Sequence, residues 1–504
     1  MWQNILEGIS IAFTFWPIVA ALSGLVMGVV VGALPGLTAS ITVAILLPFT
    51  FFMDVTVGIG FLLGVYKGAV YGAAIPAILL NTPGTPAAAA TSQDGYALTQ
   101  QGQSRRALYM SLYASISGDL FATIVLIAVA GVLASIAVKF SAPEYAVLFL
   151  ASLVLIATVS GKDLTKGLLS ACAGALIGCV GLDSMTAVQR FTFDIPQLLS
   201  GIPLVPLIIG MFALSEILVQ VLNPPTLKQT ELIRDAGPKL SGREFREQVP
   251  NLFRSSSIGT FIGALPGLGA EIACWVAYGI AKQRSKTPER FGSGAIEGVA
   301  AAESGANATV PATLIPMLVF GIPGDVVTAV LIGAFIAQGI NPGPLLFTTS
   351  GSVIYALFTL LILTNIALFF VGKAAIRSFS LVIRVPNNVL MASILTLAVA
   401  GVYSLNSDPY DVVILIVGGI AGLLMRSVGI PIPPFIIAVL LAPQLELTVR
   451  QSLALSDGHL SIFLTRPISA TLIFLFTASL AFVVWKKCNA RRALRAAGKA
   501  PPGP

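Results

Sequence analysis

The sequence predicts an all-α polytopic membrane protein, and three observations carry that prediction. Of 504 residues, 56% are hydrophobic and only 10% charged, and the mean hydropathy of +0.91 exceeds what a water-soluble surface of this size carries. Apolar stretches of roughly 20 residues, the length that spans a bilayer, recur from Ile9 to Trp485. The breaks between them are short and either charged or rich in Pro and Gly.

The first basic residue is Lys67, so the amino terminus lacks the positive region of a cleavable leader, and its apolar start is expected to stay in the mature chain. The formal charge of +7 is spread over short Lys/Arg clusters between apolar segments. That is the pattern of a positive-inside bias, not of a nucleic-acid partner. Cys172, Cys179 and Cys274 lie in apolar stretches and Cys488 in the basic tail, without a CxxC pair and with His459 as the single histidine. Neither a disulfide framework nor a metal site is expected.

Basic residues cluster at Arg105 and Arg106, at Lys162 and Lys166, from Lys228 to Arg254, from Lys282 to Arg290, from Lys373 to Arg384, at Arg426, and from Lys486 onward. These turns are assigned to the cytoplasm. The basic-poor turns around Asp54, Ser141 to Glu144, Asn341 to Pro344 and Asn406 to Asp411, with Asp183 to Pro196 carrying only Arg190, alternate with them as the outer face. The scheme puts the amino terminus outside and the carboxyl terminus inside, with about eleven full crossings plus two hairpins. It divides the chain into a first membrane repeat (1–222), a polar cytoplasmic linker (223–254), a second membrane repeat (255–485) and a basic cytoplasmic tail (486–504).

The stretch Ser255 to Ala281 is apolar over the length of one long helix but has basic loops on both sides, so a single crossing would strand one of them outside. At its centre stands Gly263-Ala264-Leu265-Pro266-Gly267-Leu268-Gly269-Ala270. Proline and glycines there interrupt a helix, and a re-entrant hairpin follows. Unwound backbone at membrane depth is tolerated only where protein or a watery cavity covers it, so the tip is expected to line a site.

The same string recurs as Gly32-Ala33-Leu34-Pro35-Gly36-Leu37-Thr38-Ala39, with flanks that hold no basic residue, so this copy is expected to open to the outside. A second pair follows in order: Ile75-Pro76 to Pro83-Gly84, and Ile315-Pro316 to Pro323-Gly324, each with seven residues from Pro to Pro. Gln101-Gly102 and Gln338-Gly339 come next. Ordered recurrence with opposite charge flanks predicts two inverted-topology repeats, and in transporters so built the substrate binds where broken helices meet near the midplane.

A helix starting at an unwound Gly-Pro tip offers backbone N–H groups and a positive dipole end to a carboxylate. The first tip contributes Pro35, Gly36, Leu37, Thr38 and Ser40; the second contributes Pro266, Gly267 and Gly269. Asn81, Thr82, Pro83, Gly84 and Thr85 supply amide and hydroxyl groups on a stretch that cannot be regular helix, and Gly321, Pro323, Gly324 and Asp325 are the counterpart. Glu271 is an ionisable group in the apolar hairpin, suited either to a coupling proton or sodium or to capping a helix. Glu303, Ser304, Asn307 and Thr309 concentrate oxygen-bearing side chains before Pro311, either for a hard cation such as sodium or as interhelical polar contacts. Gly24, Gly28 and Gly32, spaced by four, predict close helix packing. Lys67, within an apolar stretch, either snorkels or meets an anion, or simply stands at a helix end.

These residues resemble the TctA family, the large membrane subunit of bacterial tripartite tricarboxylate transporters. The resemblance rests on GALPGL at Gly32 and Gly263, on Tyr71-Gly72-Ala73-Ala74-Ile75-Pro76 leading to Asn81-Thr82-Pro83-Gly84-Thr85-Pro86, and on Gln93-Asp94-Gly95-Tyr96. Glu303-Ser304-Gly305-Ala306-Asn307 and Phe320-Gly321-Ile322-Pro323-Gly324 extend it over nearly the full chain. It implies a permease of the inner membrane that works with a small membrane subunit of TctB type and a periplasmic solute-binding protein of TctC type. It also implies gradient-driven uptake of citrate, other di- or tricarboxylates or aromatic acids, in keeping with the lack of a P-loop string. By analogy, inverted repeats with hairpins look like elevator-type ion transporters. Two other classes compete. A passive organic-anion channel would use the same tip dipoles. An intramembrane protease would need a GxGD aspartate, which Ile322-Pro323-Gly324-Asp325 does not complete, or a dyad through His459 in an outer loop.

Overall fold

The computed structural model describes residues 2–34, 36–159, 163–222, 237–382 and 387–478. Pro35, Lys162, Arg384, the linker residues 223–236 and the tail 486–504 lie outside them.

The helices run in chain order as α1 (Trp2–Ala12), α2 (Phe15–Gly32), α3 (Ala39–Leu46), α4 (Val55–Gly72), α5 (Ala74–Leu80), α6 (Ala88–Gln100) and α7 (Ser104–Ala137). Then come α8 (Ala142–Val159), α9 (Leu164–Gly178) and a hairpin of β1 (Gly181–Leu182) with β2 (Gln189–Arg190). After it follow α10 (Leu204–Ile209), a π-helical turn (Gly210–Leu214), α11 (Ser215–Leu222), α12 (Gly242–Gly263), α13 (Gly269–Arg284), α14 (Ile296–Ala312), α15 (Leu314–Phe320) and α16 (Val326–Ala337). The chain continues through α17 (Leu346–Thr349), α18 (Gly351–Val382), α19 (Asn387–Asn406), α20 (Pro409–Ser427), α21 (Ile432–Ala454) and α22 (Ile462–Thr465).

Among the described residues, 7 helical stretches are long and apolar enough to cross a membrane, namely Phe15–Gly32, Val55–Leu80, Ser104–Ala137, Leu204–Leu222, Gly351–Ser378, Pro409–Ser427 and Ile432–Ala454. Shorter apolar helices include α3 with the turn after it, α8, α9 and α16. The protein is thus a multi-pass, almost wholly helical membrane protein.

The chain forms two compact units, one of Met1–Val138 with Pro203–Ser427 and the other of Lys139–Ile202 with Val428–Pro504. In the second unit α21 packs along α9 and α8. Asp183, Arg190, Glu446 and Arg450 tie the β-hairpin to α21 by ion pairs of 2.6 to 3.2 Å.

The first unit is built around α4 and α14, in which every residue from Gly58 to Gly72 and from Gly298 to Ala312 is buried. The glycine spacing explains how α4 and α2 pack. A Cβ on Gly24, Gly28 or Gly32 would stand 2.1, 2.3 or 2.5 Å from the carbonyl oxygens of Phe61, Val65 and Ala69, too close for any side chain. Gly64, Gly68 and Gly72 meet Ala21, Leu25 and Val29 in the same way, so the two backbones are in direct contact. On the other side α14 packs against α12, α13, α6 and α7. Helix α12 begins inside the polar linker, capped by Ser241 and Glu244, and runs through Pro250 to the second GALPGL string. Residues 242–254 are therefore the polar first half of a helix whose second half is apolar.

Candidate functional site

Both GALPGL strings break a helix. The first ends α2 and lies before α3; the second ends α12 and lies before α13. Gly36 and Gly267 both take left-handed backbone, with φ of 89° and 86°, which a side chain would strain. Thr38 spends its hydroxyl on capping α3, accepting from the Ile41 amide at 3.3 Å and meeting the Ser40 hydroxyl at 3.0 Å. Gly36 is exposed, Leu37 and Gly269 are buried, and Thr38, Ser40, Pro266 and Gly267 are half-buried. Beside Gly36 lie Gln220 and Glu216 of α11, and Glu216 is ion-paired with Arg426.

The Pro-Gly loops also share their geometry. Helix α5 ends at Asn81 and α15 at Gly321, both left-handed, with φ of 54° and 70°. The next amide bonds back to Pro76 in one case and Pro316 in the other, at 3.4 and 3.3 Å. Asn81 and Pro83 are exposed, Thr82 and Gly321 half-buried, and Gly84, Thr85, Pro323 and Gly324 buried. The second loop is joined to the second tip, since the Gly267 amide donates to the Gly324 carbonyl at 2.7 Å. The Gly267 N–H, expected from sequence to face a substrate, is engaged inside the protein. Asp325 caps α16 through the Thr328 amide at 2.8 Å and accepts from the Tyr66 hydroxyl at 2.6 Å.

Glu303 and Asn307 come together; Ser304 and Thr309 do not join them. Glu303 is 3% exposed. One of its carboxylate oxygens accepts from Thr91 of α6, the other from Ser115 of α7 at 2.9 Å. Asn307 donates to Ser115 at 3.0 Å and to the Glu303 backbone at 3.0 Å. The hydroxyls of Ser304 and Thr309 bond instead to their own helix, at Ala300 and Ala306. Pro311 sits inside α14, so the break falls after it. Glu271 is exposed in the first turn of α13.

The Gln93-Asp94-Gly95-Tyr96 string is explained by Asp94, which is fully buried. One of its oxygens accepts three amides, from Gly292, Gly294 and Ala295 at 2.7 to 2.9 Å, and the other accepts the Tyr278 hydroxyl at 2.8 Å. It clamps the loop between α13 and α14 onto α6. Above this clamp lies an open cavity of about 500 Å³ lined by Asn81, Ser92, Gln93, Tyr96, Gln100 and Ser293. Its amide and hydroxyl groups could orient a polar solute.

Lys67 is fully buried, pairs with Asp119 of α7 at 3.0 Å, and donates to the Leu361 carbonyl of α18 at 2.6 Å. Asp119, Thr91, Ser115 and Tyr66 were not singled out in the sequence. Asp119 had a usable signal, because it is the only acid in the 34-residue α7. The hydroxyl residues had none, since Ser and Thr occur throughout apolar helices as local backbone partners.

Fold and motifs together define a polytopic helical membrane protein of a transporter family. The profile of the tripartite tricarboxylate transporter TctA family matches residues 18–437, and the chain belongs to that family. Membership makes it a component of a tripartite tricarboxylate transporter, in a family of transporters rather than enzymes. It is 34% identical over 496 residues, 97% of each chain, to the "uncharacterized 52.8 kDa protein in TAR-I ttuC' 3'region" of Agrobacterium vitis. It is also 37% identical over 215 residues to the "uncharacterized protein in TAR-II ttuC' 3'region" of the same organism, covering 43% of this chain and 89% of that one. No solved structure matches.

Proposed function

We propose that the chain is the large permease subunit of a binding-protein-dependent secondary transporter. It imports a carboxylate, either a di- or tricarboxylate or an aromatic acid, driven by a sodium or proton gradient. The observation that carries this reading is the paired set of helix breaks: Gly36 with Gly267 and Asn81 with Gly321, left-handed in each case and in the same order along the chain. Such pairing is what two inverted-topology repeats require, with 1–222 and 255–485 as the repeats. The substrate lies against the tips and Pro-Gly loops, with the exposed Gly36 and Asn81 and the half-buried Thr38, Ser40 and Thr82 nearest to it. Glu303, held by Thr91, Ser115 and Asn307, is the carboxylate of a coupling ion.

The chain sits in the bacterial inner membrane with its amino terminus outside. It acts with a TctB-type subunit and a TctC-type binding protein, and moves its cargo by an elevator-type displacement. Counterflow in proteoliposomes tests the reading against an anion channel. Saturable exchange of labelled for unlabelled citrate, and accumulation that depends on the binding protein and on an imposed gradient, are expected. Uptake that persists with both gradients collapsed overturns it.

A further inference from the structure

Lys67 and Asp119 form a second charged centre apart from Glu303. Their side chains are 0% and 1% exposed. Such a pair needs a reason beyond stability, because the cost of desolvating two charges offsets most of their attraction, and apolar replacements are often as stable. Ionisable groups at this depth are usually functional.

The bonding of Asp119 separates it from the structural carboxylate Asp94. Asp94 has both oxygens filled, by three amides and a tyrosine. In Asp119, Lys67 and the Thr123 hydroxyl share Oδ1 at 3.0 and 3.1 Å, and Oδ2 is buried with no hydrogen-bond partner among the described residues. An orphaned oxygen costs more on a charged carboxylate than on a neutral acid. A hard cation would need about six oxygen ligands. Among the described residues, the pair is bonded to two further oxygens, the Thr123 hydroxyl and the Leu361 carbonyl, fewer than a hard cation takes, whereas a proton needs one.

The neighbouring charges are few. From α4 comes Tyr66, which is bonded to Asp325 of α16. From α14 comes Glu303, bonded to Ser115 one turn before Asp119, while Glu297 at the start of that helix is bonded to Ser285. Helix α12 meets α7 through Phe253 on Phe121, and its Arg254 donates to Asn251. Helix α6 brings Asp94, which is filled by its loop. Helix α18 presents Thr364 and Asn365, and α2, α3, α5 and α15 carry no charged residue.

We propose that Asp119 is a proton-binding carboxylate that exchanges its Lys67 partner for a proton, and that the ammonium so released is the counter-charge of the transported carboxylate. The inference rests on the transport reading above. A proton from solution bonds to Asp119 Oδ2, and the ion pair opens. Lys67 keeps its proton and its bond to Leu361, and its charge is balanced by one carboxylate of the substrate. When the anion leaves, the proton leaves with it and Lys67 returns to Asp119. Either the internal or the transported carboxylate faces the ammonium, so proton and anion each raise the other's affinity.

Infrared difference spectroscopy tests this on the full chain reconstituted with its partner subunits and binding protein, titrated from mildly alkaline to mildly acidic pH. A protonated-carboxyl band is expected that is lost in Asp119→Asn and kept in Glu303→Gln. Citrate, used as the probe, is expected to raise that band at fixed pH in the wild type but not in Lys67→Met. Should Asp119→Asn fold poorly, the neutral pair Asp119→Asn/Lys67→Met gives the same readout. Absence of the band, its persistence without Asp119, or a citrate effect that is missing in the wild type or equal in Lys67→Met overturns the proposal. Citrate counterflow in the same vesicles keeps the two ideas apart. Exchange without the band defeats only this inference, and the band without exchange defeats the transport reading while the proton site stands.

Discussion

The Gly267 amide and the Gly324 carbonyl are joined at 2.7 Å, so the second hairpin tip and the second Pro-Gly loop form one unit of irregular backbone. This answers how non-helical segments survive in an apolar protein: each covers polar groups of the other. In the first half Gly84 lies against Gly32, where a Cβ would stand 2.9 Å from the Gly32 carbonyl oxygen.

A side chain at Gly267 must adopt φ near 86°, which costs about 1–2 kcal/mol. Gly267→Leu is expected to abolish citrate uptake while membrane insertion, read by protease protection, stays normal. Gly36→Leu adds bulk at an exposed tip whose nearest neighbour is the end of Gln220, and is expected to do the same. Wild-type uptake by either variant would remove the tips from the transport path.

Glu303 is bonded by Thr91, Ser115 and Asn307. Glu303→Gln keeps the shape but turns an amide nitrogen toward donors, losing charge-assisted bonds of about 1.5–3 kcal/mol each. The variant also removes the negative charge that would face a bound cation. The loss of one such charge-assisted interaction, about 1.5–3 kcal/mol, is expected to lower affinity for the coupling ion by at least about tenfold, since 1.4 kcal/mol corresponds to a factor of ten. Gradient-driven accumulation is expected to fail while counterflow persists. Accumulation equal to the wild type would assign Glu303 to helix packing alone.

The glycine ladder between α2 and α4 is a stability element. Gly28→Ala sets a methyl group 2.3 Å from the Val65 carbonyl oxygen, and backbone cannot yield as a flexible side chain does. Overpacking costs about 1–3 kcal/mol. A lower thermal midpoint in detergent is expected, with the larger Gly28→Leu failing to accumulate in the membrane. An unchanged midpoint for Gly28→Ala would mean that the helices lie farther apart.

Much of this was legible in the sequence because it is written in backbone chemistry. The GALPGL and Pro-Gly strings dictate breaks through missing N–H groups and left-handed φ, and Gly24, Gly28 and Gly32 dictate close approach; both hold in the fold. What stayed hidden was partnership across helices. Glu303 stands out in the sequence, but its partners Thr91 and Ser115 are 212 and 188 residues away, and nothing local marks them. Ser304 and Thr309 resemble ligands in a linear reading, yet helical geometry turns their hydroxyls onto their own backbone. Asp94 enters the sequence reading only as part of a family string, and its structural role shows only with its three amide partners from the α13–α14 loop.

The second unit offers a prediction on pH. Asp183, in the hairpin after α9 and outside the spanning helices, accepts the Thr186 and Met185 amides at 2.7 and 2.9 Å and faces Arg450 at 2.8 Å. The Thr186 amide foremost, with that of Met185 and the Arg450 charge, holds its carboxyl well below the usual carboxylate range against the opposing effect of burial. A depressed carboxylate stabilises the fold fully above its unfolded value of about 3.9, and that stabilisation is lost only as pH falls through the lower folded value. Asp183→Asn is therefore expected to lower the thermal midpoint at neutral pH by an amount that stays constant on mild acidification. The gap should narrow only below about pH 4. Intrinsic-fluorescence melts of wild type and variant across that range read the gap directly, and a gap that is absent at neutral pH, or that does not narrow below about pH 4, would show that the Asp183 carboxyl is not held low by these partners and that the arginine pairs form only a solvated surface contact.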